Sequence, residues 1–462
     1  MRNSVSKVKF DDTTMWCRAI MAIMAIVGAL VLASGCMGEA DPASADAPGR
    51  DDGAGGADRP VYKSGYSRPG IVSIYIDGVD PWGVPDVEKT SLQDAFDYVM
   101  QSSVRTHPVY MFIGAGTYRH DESPLTVPEK DWRNNCASKS ATTAFLLANR
   151  QAITEIYGDT GNPADVIIWS KVPNHIVSNP GSGSSKKVFH GLSLHNNSAP
   201  VTIGHVSLVS DGGYTENGAG DASLDVVQTS GMLFHSIVLA NKTSSNCLWS
   251  KPDRDQEGVL LSGVSTNFTI QDSAVGGNLH TGVMLLDGAR ATVYRSLVRG
   301  NGWGVPDIQN NHKGHGITEF HGAGATCYNG NTELDVIDSV VRSNSGNGVY
   351  MRGDYTGSTQ SLDDNTISYN AVNGVRVDGG GEITSFVNAG LAVTTNRMEQ
   401  NSSGNIAIDY NTISCNGVIP GNGCIYTASN GTNQTGGSEP AGLWNSLLAA
   451  NSYMGTIPVT CP

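Results

Sequence analysis

Apolar and polar residues follow one phrase that recurs through the second half of the chain. The phrase opens with Ser or Asn, continues through a short run and ends in Asn at its sixth position. Its opening residues are Ser236, Ser273, Ser296, Ser339, Asn365, Asn396 and Asn411. Its closing residues are Asn241, Asn278, Asn301, Asn344, Asn370, Asn401 and Asn416. One polar residue at one offset in every copy indicates an internal structural repeat.

A second phrase, glycine followed by alternating apolar residues, comes after most copies of the first. Its glycines are Gly258, Gly282, Gly348 and Gly374. From Ser273 to Ser296 and from Ser339 to Asn365, the copies are 23 and 26 residues apart, which suits a coil of three short strands and three turns. Alternation with a period of two predicts that Val349 and Met351 face inward, whereas Tyr350 and Arg352 face outward.

These phrases resemble the repeats of the right-handed parallel β-helix, the pectin-lyase-like superfamily. The clear repeats cover residues 232 to 417, and less regular apolar runs extend them back to about residue 107. The resemblance implies an all-β solenoid of roughly a dozen coils, about 60 Å long at one strand spacing per coil. The Asn column is interpreted as structural, because stacked side-chain amides can donate and accept along the stack.

The ends of an open coil need caps, since they would otherwise expose core and strand edges. Residues 91–100 place apolar side chains at helical spacing behind Ser91 and Asp94, which predicts a short N-terminal capping helix. Residues 109–118 are then expected to form the first strand and a turn. The predicted β-helix covers residues 71–425, and residues 426–462 are expected to form a C-terminal cap.

The first 36 residues resemble a bacterial lipoprotein signal peptide. Basic residues precede the apolar run 19–33, which is too short to favour a membrane span. The segment "LASGC" would place Cys36 at the mature N-terminus, carrying lipid. Residues 37–70 are predicted to be a flexible tether. The chain is therefore expected to be lipid-anchored to a bacterial membrane, facing the periplasm or the cell surface; plain cleavage and secretion is the alternative.

Charge and cysteine content narrow the choice of partners. The formal net charge of −14 argues against nucleic acid, and we expect a monomer with a polysaccharide partner.

Besides Cys17 in the signal and Cys36, six cysteines remain, and an exported chain permits disulfides between them. These are Cys136, Cys247, Cys327, Cys415, Cys424 and Cys461. The pairing stays open, although Cys415 and Cys424 are close in sequence.

The resemblance implies that a polysaccharide would lie along an outward strand face. One predicted outward column contains Leu260, Met284, Thr318, Tyr350 and Arg376. Its neighbour contains Ser262, Leu286, Phe320, Arg352 and Asp378. Because adjacent parallel strands lie about 4.8 Å apart, Tyr350, Arg352, Arg376 and Asp378 should form one patch. A ring beside two guanidinium groups suits a sugar that carries a carboxylate; a solvated, self-paired face is the alternative.

A longer excursion, residues 307–322, is dense in titratable groups. It holds His312, Lys313, His315, Glu319 and His321. "GHG" at 314–316 resembles the motif of polygalacturonase-type glycoside hydrolases, but the paired aspartates of that family are missing, so acid/base hydrolysis lacks its machinery. Glu319 registers at an inward position, which requires a distorted loop or a protonated or paired carboxylate. The histidines could hold a metal or simply be solvated.

The acidic segment "DRDQEG" is a third candidate site. Asp253, Asp255 and Glu257 alternate just before a strand, and three oxygen donors suit calcium. A bound cation would also help an acidic protein hold an acidic polymer. The alternative is an acidic, solvated turn.

The leading hypothesis from the sequence is a polysaccharide lyase that acts on a uronic-acid polymer by β-elimination. Lys313 or Arg352 is the candidate base, Arg376 neutralises the carboxylate, and Tyr350 or His315 is the acid. Asp378, Phe320 and His312 are the candidate substrate contacts. The rival hypothesis is a non-catalytic binding or structural β-helix, and a glycoside hydrolase of polygalacturonase type is third.

Overall fold

The computed structural model describes sixteen stretches of the chain. They are residues 72–76, 86–120, 125–131, 137–170, 189–210, 222–240, 256–302, 314–321, 332–353, 359–378, 384–385, 389–394, 397–399, 404–408, 413–414 and 424–428. All of them belong to the unit Arg59–Pro462. The predicted signal segment, the tether and most of the predicted C-terminal cap lie outside these stretches, as do Cys36 and the cysteines other than Cys424 that were considered for disulfides.

The described residues form one helix, α1 Leu92–Met100, and thirty-three strands. The first sixteen strands are β1 Val72–Ile76, β2 Val87–Lys89, β3 Val109–Ile113, β4 Gly116–His120, β5 Leu125–Asp131, β6 Ala137–Ala148, β7 Thr154–Gly158, β8 Val166–Ser170, β9 Phe189–His195, β10 Val201–Gly204, β11 Ser207–Ser210, β12 Ala222–Val227, β13 Gly231–Phe234, β14 Ile237–Ala240, β15 Glu257–Ser262 and β16 Asn267–Gln271. The others are β17 Ala274–Gly276, β18 Val283–Leu286, β19 Arg290–Tyr294, β20 Leu297–Arg299, β21 Ile317–His321, β22 Glu333–Ile337, β23 Val340–Arg342, β24 Val349–Gly353, β25 Thr359–Asp363, β26 Thr366–Ser368, β27 Asn373–Asp378, β28 Thr384–Ser385, β29 Ala389–Thr394, β30 Arg397–Glu399, β31 Gly404–Ile408, β32 Ile413–Ser414 and β33 Cys424–Ala428.

Three long sheets run along the coil. Sheet A has the order β2-β1-β3-β7-β10-β13-β16-β19-β22-β25-β29-β33, sheet B the order β30-β26-β23-β20-β17-β14-β11-β8-β4, and sheet C the order β31-β27-β24-β21-β18-β15-β12-β9-β6-β5. From β10 to β27 the chain visits A, B and C in turn, and neighbours within each sheet are parallel, as in β15 and β18. The antiparallel pair β5–β6 closes one edge of sheet C. The chain is thus the all-β, right-handed parallel β-helix predicted from its repeats, with the handedness that parallel crossovers almost always take.

The corner between sheets A and B explains the opening residue of the sequence phrase. Between β13 and β26, two residues connect the strands at each such corner, and the first has a left-handed backbone, as Asp272 does with φ 48°. The second is Ser or Asn, and it accepts a hydrogen bond from the equivalent backbone N–H one coil earlier. The N–H of Ser273 donates to Ser296 Oγ at 3.1 Å, and the N–H of Ser296 donates to Ser339 Oγ at 3.0 Å. These serines therefore hold consecutive coils in register.

The Asn column forms the predicted amide ladder on the turns between sheets B and C. Nδ2 of Asn278 donates to Oδ1 of Asn301 at 3.0 Å, and the same bond recurs from Asn301 to Asn344 at 3.0 Å and from Asn344 to Asn370 at 2.9 Å. All four side chains are fully buried. Because a buried amide without partners would be costly, the ladder fixes coil register, and its structural interpretation is confirmed.

Helix α1 caps the N-terminal end of the coil, as predicted. Ser91 is its N-cap, and its hydroxyl accepts from the N–H of Asp94 at 3.4 Å. Leu92, Phe96 and Val99 are buried in the same hydrophobic core as the inward strand residues. Val109–Ile113 is a strand, as predicted, but it is not the first one, because β1 precedes the helix and pairs with both β2 and β3. The described part of the chain contains no helix long and apolar enough to cross a membrane.

Candidate functional site

The outward face of sheet C carries the two columns predicted from sequence. Backbone pairing aligns Leu260, Met284, Thr318, Tyr350 and Arg376 across five consecutive strands. The neighbouring column aligns Ser262, Leu286, Phe320, Arg352 and Asp378. Phe320, Arg352 and Asp378 are placed here by their backbone register alone.

Tyr350 is not part of an exposed patch, which corrects the sequence prediction. Its side chain is 0 % exposed, and its ring stacks on His315 with the centroids 4.5 Å apart and the planes 29° apart. Leu260, Met284 and Leu286 earlier in the columns are also buried, in one apolar cluster. Strand alternation determines which way a side chain leaves the sheet, but it does not determine what else packs on that face.

The imidazole of His315 is fixed in one tautomer by its backbone neighbours. Its Nδ1 accepts a hydrogen bond from the N–H of Asn347 at 2.9 Å, so in the neutral ring the proton is on Nε2. Gly346 packs closely against this ring, because a Cβ there would lie 2.5 Å from Nδ1. His315 is therefore held as a hydrogen-bond donor through Nε2, which suits binding of a carboxylate or a developing oxyanion better than removal of a proton.

Arg376 lies beside Tyr350 in register and is half-buried. Thr318, on the other side of Tyr350, is fully buried, and its hydroxyl has no hydrogen-bond partner among the described residues. His315 just before β21, Tyr350 on β24 and Arg376 on β27 thus place an imidazole N–H, a phenol and a guanidinium on consecutive coils. His312 and Lys313 lie outside the described residues, so their roles stay predictions.

Glu319 lies inside the coil, at the inward position given by the sequence pattern. It pairs with Leu285 and Met351 on the neighbouring strands and is fully buried. Burial raises the pKa of Glu319 well above its ordinary value, with a hydrogen bond to Gln360 opposing the shift and the nearby Glu333 and Asp335 charges adding to it. Of the alternatives open from sequence, the protonated carboxyl is the one the surroundings favour.

Replacing Glu319 by Gln is expected to stabilise the protein at alkaline pH. The folded state keeps the proton on Glu319, whereas the unfolded chain loses it above the ordinary glutamate pKa. The free energy of unfolding of the parent protein should therefore fall with rising pH by about 1.4 kcal/mol per unit between the two pKa values. Urea unfolding at a series of pH values measures the difference, with Glu88→Gln, at an exposed position of β2, as the surface control. Parallel pH profiles for parent and Glu319→Gln would contradict the expectation.

Glu257 is not a solvated turn residue, which corrects a second sequence prediction. It is the first residue of β15, it is buried, and its Oε1 bonds to Nδ1 of His280 at 2.7 Å. His280, from the next coil, is thus hydrogen-bonded to one of the two carboxylate oxygens with which Glu257 was expected to bind calcium. No cluster of three metal-binding side chains occurs among the described residues, while Asp253 and Asp255 lie outside them. Calcium at this segment stays a prediction.

A second polar centre on sheet C was missed in the sequence. Asp225 on β12 is fully buried, and its Oδ2 lies 2.7 Å from Nε2 of His195 and 3.7 Å from Nε2 of His190. Ser193 donates to Thr143 Oγ1 at 3.0 Å and lies 3.4 Å from the same carboxylate oxygen. The signal was available, because "GLSLH" from Gly191 repeats the glycine-plus-alternation phrase and aligns Ser193 with Asp225 in the outward column.

The Asp225 centre holds an ionised carboxylate without direct access to solvent. Burial opposes ionisation, but the charge of His190 and the hydrogen bond and charge of His195 outweigh it, so the pKa of Asp225 is lowered. The carboxylate orients Nε2 of His195, while Nδ1 of the same ring has no partner among the described residues. The Asp225 centre is therefore a buried, hydrogen-bonded charge cluster that links β9 to β12.

Comparison with known proteins shows that the fold of this chain is similar to several solved structures. No protein-family model and no curated protein matches the chain. It is similar to a pectin methylesterase from Aspergillus niger, with 10 % identity, a TM-score of 0.37 and coverage of 82 % of this chain and 96 % of that chain. It is also similar to a periplasmic alginate epimerase, with 14 % identity, a TM-score of 0.32 and coverage of 67 % of this chain and 69 % of that chain. The corresponding values for a pectate lyase are 12 % identity, a TM-score of 0.34 and coverage of 74 % of this chain and 78 % of that chain. Likenesses at this level assign no activity to this chain.

The two polar centres of sheet C are far apart on the scale of one sugar. Five strand spacings separate Asp225 from Arg376, or roughly 24 Å. One monosaccharide cannot contact both centres at once. A reaction at Arg376 must therefore rely on groups from its own and adjacent coils.

Proposed function

We propose that this protein is a polysaccharide lyase that cleaves a uronic-acid polymer by β-elimination. The observation that carries the proposal is the stack of His315 on Tyr350, with Arg376 next to Tyr350 in register on the same outward column. Elimination needs three functions close together: neutralisation of the uronate carboxylate, a base for the C5 proton and an acid for the leaving oxygen. The proposed site is also expected to be carried at a bacterial membrane by lipid on Cys36.

Each group then has one role in the reaction. Arg376 pairs with the uronate carboxylate, which makes the C5 proton more acidic. Lys313 or Arg352 removes that proton, its electron pair forms the C4–C5 double bond, and the C4–O bond breaks. Tyr350 or His315 gives a proton to the departing oxygen, and because the hydrogen bond from Asn347 holds His315 in its neutral form, the phenol of Tyr350 is the stronger acid of the two.

The test is cleavage of a panel of uronic-acid polysaccharides by residues 60–462, followed as ultraviolet absorbance of the unsaturated products. A rise in absorbance that is lost with chelator and restored with calcium supports a lyase that uses a cation, for which Asp253 and Asp255 are the remaining candidates. A rise that chelator leaves unchanged supports a lyase that relies on Arg376. A folded protein that cleaves no member of the panel contradicts the proposal.

One observation favours a second candidate, a non-catalytic binding or structural β-helix. The middle of the sheet C face is apolar and buried at Leu260, Met284 and Leu286. This described part of the face therefore lacks the open polar groove in which a polysaccharide substrate would bind. The structure supports the third hypothesis, a glycoside hydrolase, less than the other two. Hydrolysis needs two carboxyl groups on opposite sides of the scissile bond, whereas the described carboxylates Asp225 and Glu257 are each hydrogen-bonded to an imidazole.

A further inference from the structure

Sheet A has an outward face of its own, on which aromatic residues share one column. Backbone pairing aligns Phe112, Tyr157, Gly204, Phe234, Gln271 and Tyr294 across six consecutive strands. The ring-bearing residues of this column are half-buried, so part of each remains open to solvent. None of them contributes to the proposed elimination site on sheet C.

Gly204 makes room for the ring of Tyr157. A Cβ at Gly204 would lie 2.7 Å from Cδ1 and 2.8 Å from Cε1 of that ring, so the phenol occupies the space above the glycine backbone. Any larger residue at position 204 would push the ring off the next strand. The ring therefore lies across two coils instead of standing in line with its own strand.

The surroundings of Tyr157 differ from those of several other aromatic rings. Cations cover three of them: Arg119 over Trp169 at 4.1 Å, Arg295 over Tyr294 at 4.8 Å and Lys89 over Tyr98 at 5.2 Å from the ring centroid. Tyr157 has the tilted imidazole of His205 at 6.0 Å and no cation over its ring among the described residues. Its face is thus available for stacking in a way that the face of Tyr294 is not.

Polar groups border the ring of Tyr157 on one side. The Tyr157 hydroxyl donates to Oε2 of Glu155 at 3.1 Å, and Thr202 pairs with Glu155 in register on the next strand. Glu155 and Thr202 are both half-exposed. The carboxylate offers acceptors for hydroxyl donors and repels another carboxylate, so the charge at this place favours a neutral ligand.

We propose that Glu155, Tyr157, Thr202 and Gly204 form a binding site for a neutral pyranose unit of a polysaccharide, separate from the sheet C site. The apolar face of the sugar stacks on Tyr157, as apolar surfaces do on aromatic rings, and its hydroxyls donate to Glu155. The hydroxyl of Thr202 borders the sugar, and Gly204 contributes by letting the ring of Tyr157 lie across two coils. The uronate specificity of the proposed elimination reaction is thus not shared by this site.

Binding of the full chain without its signal segment is tested by affinity gel electrophoresis in glucomannan, xyloglucan or polygalacturonate. We expect retardation by at least one neutral polymer, a loss of about tenfold in affinity for it in Tyr157→Ala and near-parent affinity in Tyr157→Phe. Tyr294→Ala is the matched control, because Arg295 already covers that ring, and it should bind like the parent.

A second variant keeps the test decisive if Tyr157→Ala fails to fold. Glu155→Lys changes a half-exposed side chain and should weaken the neutral polymer about tenfold while improving binding of polygalacturonate. Absence of retardation of the parent protein by both neutral polymers would overturn the proposal. Equal losses in Tyr157→Ala and Tyr294→Ala would also overturn it, since they would indicate a general effect of removing rings from sheet A.

Discussion

Arg376→Ala is expected to lower kcat/KM for uronan cleavage by about three orders of magnitude. Arg376 is the half-buried cation next to the His315–Tyr350 stack, and without it the uronate carboxylate would keep its charge while C5 loses a proton. Removing one electrostatic contact of this kind from an active site typically costs about 100- to 1,000-fold. Initial rates by absorbance of the unsaturated product, over a range of substrate concentrations, give the number.

Two further variants make this result specific. Arg376→Lys keeps the charge but loses the planar pair of donors, so it should retain more activity than alanine does. Arg290→Ala is the matched control, because Arg290 is a mostly exposed arginine of sheet A whose partner is Glu333. If Arg376→Ala cleaved uronan as fast as Arg290→Ala, the assignment of Arg376 would be wrong.

Arg150→Met is expected to lower the free energy of unfolding by about 3–5 kcal/mol, since each buried carbonyl left without its donor costs about 1–3 kcal/mol. Arg150 is fully buried, and its guanidinium donates to the carbonyls of Val99, Val104 and His107, thereby joining the end of α1 and the following turn to the coil. Burial lowers the pKa of Arg150 to about 10, which still leaves it charged at neutral pH. Methionine fills part of the space but leaves three carbonyls without donors.

Urea unfolding of Arg150→Met and of Arg119→Met measures that loss. Arg119 is an exposed arginine that lies over the ring of Trp169, so its replacement should cost much less. Equal midpoints for the two variants would show that the buried arginine does not hold the cap, and that apolar packing of Leu92 and Phe96 is sufficient.

The fold could be predicted because the repeated residues form the same hydrogen bonds in consecutive coils. Asn301 and Asn344 are each the sixth residue of their phrase, because at that position their side chains can hydrogen-bond to each other. Strand register followed from the glycine phrase, so the pairing of Tyr350 with Arg376 was predicted correctly. The earliest strand, β1, was missed because "VSIYI" is one short alternation without a ladder residue beside it.

The candidate site could be predicted only in part, because burial depends on segments that the repeat does not encode. The pattern places Tyr350 outward, yet the structure buries its ring against His315. Glu257 belongs to an acidic run in the sequence, yet it faces His280 from the next coil. Asp225 on β12 is separated from His190 and His195 on β9 by two strands and their turns, and their convergence depends on the register of the early coils, whose Ser and Asn phrases are less regular.

The chemical structure of the products distinguishes β-elimination from hydrolysis. Oligosaccharides released from a uronan by residues 60–462 would be analysed by mass spectrometry and by proton nuclear magnetic resonance. β-Elimination predicts a C4–C5 double bond at the new non-reducing end and a mass lower by one water than that of the hydrolysis product, with about a thousandfold less of this product formed per unit time by Arg376→Ala. Saturated ends of full mass, or unsaturated ends formed equally by Arg376→Ala, would contradict the account.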